Sequence, residues 1–307
     1  MDKVIVIAGP TASGKTSLSI ELAKKIDGEI ISSDSMQIYK DMNIGTAKVT
    51  DEEAQGIKHY LVDFVEPDKR YTVNDFKHDA EKVIEEILSK GKTPIVVGGT
   101  GLYIDSLIYG IEYQEMDFDE EYRNELMKKA ETEDGLSKLY DEAFKIDSKA
   151  MENISSNDKK RIIRVLEIYK ATGKTKTQIE ELSRKNGVKY DYRVFIANMD
   201  REKLYDCINL RVDLMIKDGL VKEVEDLINK YGKFPTAMQA IGYKEVVEYL
   251  DGMISYEEMI DKIKQESRHY AKRQLTWFRK DDSFIWLDTT LGNDYNVKMI
   301  LDNINKE

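Results

Sequence analysis

The sequence has 307 residues, of which 41% are hydrophobic and 34% are charged, a composition typical of a folded globular protein. It has no apolar run near the roughly 20 residues of a membrane-spanning helix, and its N-terminus reaches glycine too early for a secretory signal. The single cysteine, Cys207, excludes a disulfide framework within one chain, and the net charge of −11 argues against indiscriminate nucleic-acid binding.

The first hundred residues alternate between short apolar runs and amphipathic segments. Strands are predicted over 3–8, 29–32 and 93–97, and helices over 17–26 and 73–89. The apolar runs are rich in β-branched residues and lack polar alternation, which is typical of strands buried on both faces. Strands that alternate with helices indicate a parallel sheet. We therefore predict an α/β fold with a parallel sheet flanked by helices.

After Gly110 the pattern changes to long, charged segments that favour helix. Helices are predicted over 120–131 and 159–171, followed by one more strand over 194–197. Three further helices complete the chain, over 201–231, 243–250 and 256–278. We predict a sheet core formed by 1–111 and 193–307, and an inserted all-helical domain over 112–192. The second part of the core is expected to hold one strand and C-terminal helices.

Charge is segregated along the chain. Residues 112–152 contain 14 acidic and 6 basic residues, whereas 156–193 contain 11 basic and 5 acidic residues. A second basic stretch, 264–280, has 6 basic residues and one acidic residue. Solvated helix faces would explain such runs, and so would contacts with phosphate groups.

The segment Gly9–Thr16 matches the phosphate-binding pattern G-x-x-x-x-G-K-[ST] and lies between a predicted strand and a predicted helix. Its glycines let successive backbone N–H groups point at phosphate oxygens, aided by the positive end of the following helix. Lys15 would neutralise the terminal phosphate and Thr16 would ligate Mg²⁺. The phosphate contacts are assigned to Gly9, Pro10, Thr11, Ala12, Ser13, Gly14, Lys15 and Thr16. Such a loop specifies a phosphorylated ligand but no reaction, so kinases, ATPases and pyrophosphate-dependent transferases stay possible.

Two polar segments follow predicted strands, at the sheet edge where ligands bind in α/β folds. In Ser32–Tyr39, Asp34 could serve Mg²⁺ through water, accept a proton from a nucleophile, or form an Asx turn that caps the next element. In Gly98–Tyr103, the glycines permit close approach of a ligand and Thr100 offers a hydroxyl, although a tight turn into a helix also explains the glycines.

Taken together, these segments resemble the tRNA dimethylallyltransferases, also called tRNA isopentenyltransferases. The resemblance extends over nearly the whole chain, and the lack of a cysteine-and-histidine extension resembles the shorter bacterial members. It rests on GPTASGKT (9–16), SSDSMQIYKDMNIGTAK (32–48), VVGGTGLY (96–103), NDKKRIIRVLE (157–167) with TGK (172–174), RVDLMIKDG (211–219), QAIGYK (239–244) and KRQLTWFR (272–279).

The resemblance implies transfer of a dimethylallyl group from its pyrophosphate to N6 of the adenosine immediately 3′ of the anticodon in tRNA. Asp34 matches the general base, and Thr100 would bond near the bridging oxygen and the amine. Charge on the leaving pyrophosphate would be stabilised by Lys15, by Mg²⁺ on Thr16 and by Arg211. The partners would be dimethylallyl pyrophosphate and the tRNA anticodon stem-loop, bound by a cytoplasmic monomer without membrane contact.

Contacts with tRNA are also implied by the resemblance. The adenine would be extruded and held beside Asp34 by Ser35, Met36 and Gln37. The basic stretch would grip phosphates of the anticodon loop. The remaining residues assigned to tRNA are Thr100, Arg123, Asp158, Lys159, Lys160, Arg161, Ile162, Arg164, Gly242 and Lys244. For Arg161 and Arg164, a surface helix face or an ion pair with Glu167 is the alternative.

Three other functions remain open at this point. A prenyltransferase acting on free adenine nucleotides would need neither the basic segments nor the helical insertion. A P-loop kinase of a small metabolite is disfavoured because no arginine-rich lid is visible. A GTPase-like switch is disfavoured because the sequence lacks an N/T-K-x-D motif.

Overall fold

A computed structural model of the chain describes residues 1–111, 119–183, 187–232 and 237–305. The chain divides into two compact units, of which one comprises Met1–Ile108 with Lys189–Glu307 and the other Tyr109–Val188. We call the first the core unit and the second the helical unit. The limits differ by a few residues from the boundaries expected at 112 and 192, and residue 112 lies outside the described residues.

The first part of the core unit alternates strands and helices. Its elements are β1 (Lys3–Ala8), α1 (Lys15–Ile26), β2 (Gly28–Ser32), α2 (Asp51–Ala54), β3 (His59–Tyr60), α3 (Val73–Ser89), β4 (Thr93–Gly98) and α4 (Gly101–Ile108). The helical unit follows, with α5 (Glu120–Lys129), α6 (Glu133–Ile146), α7 (Ser148–Met151), α8 (Lys159–Thr172) and α9 (Lys176–Ser183). The core unit resumes with β5 (Asp191–Asn198), α10 (Arg201–Lys217), α11 (Leu220–Tyr231), α12 (Tyr243–Leu250), α13 (Tyr256–Phe278), β6 (Ile285–Asp288) and α14 (Asn293–Ile304).

One sheet organises the described part of the core unit. Its strand order is β3-β2-β4-β1-β5-β6, and every adjacent pair is parallel. Residues Val4–Ala8 of β1 are at most 1% exposed, because the strand has a neighbour on each side and helices cover both faces. The prediction of an α/β parallel sheet with an inserted helical domain is confirmed.

Several details of the sequence prediction for the core unit are wrong. The second part of the core unit holds two strands, since β6 pairs with β5, and β5 begins at Asp191 rather than at residue 194. β3, only two residues long, and α14 were also missed. The helix predicted over 201–231 is two helices, because Gly219 has a φ of 101° and ends the first of them. Only glycine adopts that conformation without strain.

The helical unit has its own apolar core in its described residues. Leu126, Leu139, Ile162 and Leu166 are at most 3% exposed and pack together between α5, α6 and α8. Its helices begin at side chains that accept a backbone N–H. The capping residues are Asp119 for α5, Thr132 for α6, Asp147 for α7 and Asp158 for α8. These caps fix where each helix starts.

Within the described residues, none of the helices combines the length and apolar character that crossing a bilayer requires.

Candidate functional site

The segment Gly9–Thr16 joins β1 to α1 at the carboxyl edge of the sheet, and Lys15 is the first residue of α1. The Lys15 ammonium donates to the carbonyl of Pro10, while Thr16 is exposed. The pKa of Lys15 is lowered to about 7, mainly by burial and also by the positive charge of Arg211, while the negative charge of Asp34 opposes the shift. Lys15 therefore lies close enough to Arg211 and Asp34 for their charges to shift its pKa.

The backbone N–H of Thr11 does not point into an open loop. It donates to Oε1 of Gln274 at 2.9 Å, so this amide is already bonded to the protein. Arg211 approaches the same residue from α10, with its Nη1 3.4 Å from the Thr11 hydroxyl oxygen. Burial lowers the pKa of the Arg211 guanidinium, and Asp34 raises it. The structure thus places Arg211 beside the segment Gly9–Thr16, for which the resemblance implies binding of pyrophosphate.

Asp34 lies just after β2. It forms a turn and also faces Lys15 and Arg211. Its Oδ1 accepts the backbone N–H of Met36 at 2.8 Å and of Gln37 at 3.3 Å, which is an Asx turn. Its negative charge also raises the pKa values of Lys15 and Arg211. The structural and the catalytic interpretation of Asp34 are therefore compatible.

Thr100 follows β4 and joins the loop that carries Asp34. Its Oγ1 accepts the backbone N–H of Ser35 at 3.1 Å and lies 3.4 Å from the Ser35 hydroxyl oxygen. Because β2 and β4 are neighbours in the sheet, the two predicted strand-end segments meet directly. Asp34, Thr100, Lys15 and Arg211 are thus brought together from four separate parts of the chain.

A cavity of about 320 Å³ lies beside these residues in the core unit. Its polar lining includes Thr11, Asp34, Ser35, Arg211, Tyr270 and Arg273, and its apolar lining includes Met36, Ile208, Val212, Met215, Ile241 and Ile263. Lys15 and Thr100 adjoin the cavity through the contacts given above. The cavity therefore has a charged part next to the phosphate-binding loop and an uncharged wall from α10 and α13.

Tyr270 and Arg273 are cavity residues that sequence reasoning missed. The pKa of Tyr270 is raised to about 12, mainly by burial and also by the charge of Asp34, whereas Thr100 and Gln274 oppose the shift. The phenol therefore stays neutral and can donate a hydrogen bond. The basic stretch 264–280 pointed to this helix, but only the fold shows which of its faces meets the cavity.

A family model described as IPP transferase matches residues 37–281. This match covers well over half of the chain. The chain belongs to the IPP transferase family.

Named relatives agree over almost the full length. The chain is 53% identical to a tRNA dimethylallyltransferase of Acetivibrio thermocellus, over 94% of this chain and 92% of the relative. The crystal structure of the full-length tRNA isopentenylpyrophosphate transferase from Bacillus halodurans is 42% identical, with a TM-score of 0.75, and the alignment covers 99% of this chain and 96% of that one. A eukaryotic dimethylallyltransferase acting on tRNA is 31% identical, with a TM-score of 0.81, and the alignment covers 100% of this chain and 80% of that one.

Three residues assigned to tRNA in this IPP transferase family member are not among the residues that line the cavity. The Gln37 side chain is bonded within the protein, to the Ser32 hydroxyl and to the carbonyls of Thr46 and Ala47. Gly242 precedes the first residue of α12, and the Lys244 ammonium lies 3.9 Å from Glu248. The cavity is lined instead by the preceding residues 239–241.

The cations assigned to tRNA in the helical unit lie on two of its helices. Arg123 of α5 pairs with the buried Glu167 at 3.1 Å, and Arg164 of α8 lies 3.9 Å from the same carboxylate. Arg161 pairs with Asp158 at 3.2 Å. The ion pair with Glu167, which was the alternative for Arg161 and Arg164, is compatible with the position of Arg164, whereas Arg161 pairs with Asp158 and the Glu167 carboxylate pairs with Arg123.

The beginning of α8 presents most of its assigned residues to solvent. Lys159, Lys160, Arg161 and Arg164 are exposed. Ile162 is fully buried in the apolar core, so its side chain cannot contact RNA, and Asp158 is the N-cap. Hydrophobic periodicity alone indicates the inward position of Ile162. The exposed face of α8 is therefore a cationic surface of four side chains.

Proposed function

We propose that this chain transfers a dimethylallyl group from dimethylallyl pyrophosphate to N6 of the adenosine immediately 3′ of the anticodon in tRNA. One observation carries the proposal. Asp34, a carboxylate able to accept a proton, lines the same cavity as Arg211, and it raises the pKa of Lys15 in the phosphate-binding loop. The names of the similar proteins supply the substrate class, because they describe dimethylallyl or isopentenyl transfer to tRNA.

The diphosphate fits the cationic part of the site. Lys15 and Arg211 would bind its oxygens, and the amides at the start of α1 would point at them. As the allylic carbon–oxygen bond breaks, negative charge grows on the leaving pyrophosphate, and these fixed positive groups stabilise it. The uncharged wall, which includes Val212 and Met215, suits the prenyl chain.

Asp34 is assigned as the general base. The N6 amine is a poor nucleophile because its lone pair is delocalised into the adenine ring, so removal of its proton assists the attack. Both backbone hydrogen bonds of Asp34 go to Oδ1, and we therefore assign Oδ2 to the proton. Thr100, held against the Ser35 backbone, would bond to the reacting groups.

The residues beside the loop fit a magnesium ion. Mg²⁺ usually takes one or two protein ligands and completes its shell with phosphate oxygens and waters. The exposed Thr16 hydroxyl could be such a ligand, and no cluster of three His, Cys, Asp or Glu side chains occurs among the described residues. When bound, Mg²⁺ would neutralise charge on the leaving pyrophosphate.

The nucleic acid must change its shape to react. An adenine inside a stacked loop cannot present N6 to a cavity, so the base must be extruded. Ser35 and Met36 line the cavity next to Asp34 and are placed to contact an extruded base. The exposed cations of α8 would bind backbone phosphates.

One assay tests the proposed function. The protein is incubated with Mg²⁺, dimethylallyl pyrophosphate and unmodified tRNA, and the digested nucleosides are analysed by mass spectrometry. We expect N6-(dimethylallyl)adenosine from tRNA and none from adenosine monophosphate. Prenylation of the free nucleotide alone would instead identify an adenylate prenyltransferase. Phosphate transfer from a nucleoside triphosphate would identify a kinase.

A further inference from the structure

One face of α13 lies against the loop between β4 and α4 and against α4 itself. Three of its residues, spaced four and three positions apart, make the contacts. Tyr270 lies near Thr100, Gln274 bonds to Gly99, and the indole nitrogen of Trp277 donates to Asp105 at 2.9 Å. This spacing places all three on one helix face.

The side chain of Gln274 contacts two loops of the site. Its Oε1 accepts the backbone N–H of Thr11 at 2.9 Å, and its Nε2 donates to the carbonyl of Gly99 at 2.9 Å. The orientation of the amide is fixed by chemistry, because a backbone N–H only donates and a carbonyl only accepts. Gln274 is 6% exposed, so both bonds are shielded from water.

Gly99 is matched to this contact. A Cβ at residue 99 would lie 2.1 Å from Nε2 of Gln274, a distance that no side chain tolerates. The glycine therefore permits the amide to reach the backbone. Residue 100, next in the chain, carries the hydroxyl assigned to the reacting groups, so the bond fixes the start of that segment.

We propose that Gln274 is a positioning residue that sets the separation between the diphosphate-binding loop and Thr100. This inference rests on the proposed transfer reaction. Thr11 belongs to the loop that would hold the leaving pyrophosphate, and Thr100 lies beside Asp34, where the amine would stand. An amide that is bonded to both loops would keep the attacking nitrogen in line with the allylic carbon–oxygen bond that breaks.

The first test is Gln274→Met, which keeps the side-chain length and removes both hydrogen bonds. Lys15 and Arg211 remain, so KM for dimethylallyl pyrophosphate should change less than about threefold, while kcat falls about 10- to 100-fold because misplacement of reacting groups is costly. Gln265→Met, at an exposed position of the same helix, is the matched control and should keep the wild-type kcat. A wild-type kcat in the Gln274 variant would overturn the inference.

The second test is Gln274→Glu. A protonated carboxyl has one O–H donor and one carbonyl acceptor, and so reproduces both bonds, whereas the ionised form cannot donate to Gly99. Burial raises the pKa of the introduced carboxyl. The ratio of variant to wild-type kcat should therefore rise as the buffer is changed from mildly alkaline to mildly acidic. A kcat that stays far below the wild-type value at the most acidic pH, where the carboxyl is protonated, would contradict the role of the two hydrogen bonds.

A third measurement does not depend on the reaction. Backbone amide exchange of Thr11, followed by mass spectrometry of peptides that span residues 9–14, should be faster in Gln274→Met than in the wild type and unchanged in Gln265→Met. Unchanged exchange in Gln274→Met refutes the bond to Thr11, whatever the enzyme does to tRNA. A wild-type protein that fails to modify tRNA refutes the proposed function and leaves the exchange result to stand.

Discussion

At the scale of single residues, the site contains a few charged side chains that shift the pKa values of their neighbours. Burial lowers the pKa of both Lys15 and Arg211, the charge of Arg211 also lowers the pKa of Lys15, and the charge of Asp34 opposes these shifts. The positive charge of Arg211 thus disfavours the charged form of Lys15 in a poorly solvated place. A diphosphate bound beside both groups would favour their charged forms, because it supplies negative charge.

A pH dependence follows for Lys15. With its pKa lowered to about 7, Lys15 is charged below that pH and largely neutral above it in the free protein. Binding of pyrophosphate favours the charged form, so above pH 7 affinity should weaken by up to about tenfold per pH unit, with uptake of a proton. Isothermal titration calorimetry in buffers of different ionisation enthalpy measures both quantities.

Lys15→Arg is the control for that measurement. An arginine stays charged at every accessible pH, so the variant should lose the extra pH dependence even if its affinity is lower. The titration of pyrophosphate itself is common to both proteins and cancels in the comparison. Identical pH profiles for the two proteins would contradict the role of Lys15 ionisation.

Asp34→Asn separates the two roles of Asp34. The amide oxygen can still accept the N–H groups of Met36 and Gln37, so the turn persists, but the general base is lost. We expect kcat to fall on the order of a hundredfold or more with little change in pyrophosphate affinity. Steady-state kinetics and calorimetry on the same preparation check this, and unchanged turnover would remove Asp34 from the mechanism.

At the scale of secondary-structure elements, a carboxylate of α11 holds part of the cavity rim in place. Glu223 accepts the backbone N–H groups of Asn43, Ile44 and Gly45 at 2.8, 2.7 and 3.1 Å. It also accepts the hydroxyl of Tyr243 at 2.6 Å. The rim segment after β2 is therefore ordered by one side chain from a distant helix.

Glu223→Gln should weaken this segment. The amide keeps one acceptor oxygen and turns an NH₂ group towards backbone donors, so we expect a loss of about 2 kcal/mol in the free energy of unfolding, from bonds to a charged group. Chemical denaturation measures the loss. Asp226→Asn, which removes a surface pair with Lys222 on the same helix, should cost less than about 0.5 kcal/mol. Equal losses in the two variants would contradict the anchoring role.

The exposed face of α8 offers a second element-scale prediction. Lys159→Glu with Lys160→Glu should weaken tRNA binding and lower the salt dependence of log Kd by about 2, one for each lost phosphate contact. Lys138→Glu with Lys145→Glu, on exposed positions of α6, changes the net charge equally and should leave the slope alone. Filter binding at several salt concentrations distinguishes the two pairs. Equal decreases in tRNA affinity and in the salt dependence of log Kd for the two pairs would indicate a general effect of net charge.

Sequence patterns predicted an element well where its own residues set both the apolar periodicity and the two ends. The bounds of β1, α3, α12 and α13 were predicted without error. The break between α10 and α11 was missed because apolar periodicity continues across Gly219. β3 was missed because a strand of two residues is defined by its partner, β2, and not by its own sequence.

The site also combines residues that the local sequence places with residues that only the packing of the fold places. The phosphate-binding loop, Asp34 and Thr100 follow strands, and the ends of parallel strands necessarily meet at one edge. Tyr270, Gln274 and the apolar wall come from helices whose rotation is set by packing. Nothing in the local sequence of α13 tells which of its polar residues points inward.

At the scale of the whole molecule, the connectivity of the sheet determines the order in which its strands can pair during synthesis. β1 is made first, yet it needs β5, which begins 183 residues after β1 ends, as its second neighbour. At about 5–20 residues per second, synthesis of the intervening chain takes about 10 to 40 s. The helical unit is continuous in sequence and can close before the sheet does.

Ribosome-bound chains that expose residues only up to Val188 should therefore contain a protease-resistant fragment from 119–183 and a degraded N-terminal part. Chains that also expose β5 and α10 should protect β1. Limited proteolysis of stalled complexes checks this order, and early protection of β1 would contradict it. A first strand that waits for a late partner leaves the segment Gly9–Thr16 accessible to chaperones until β5 has been synthesised.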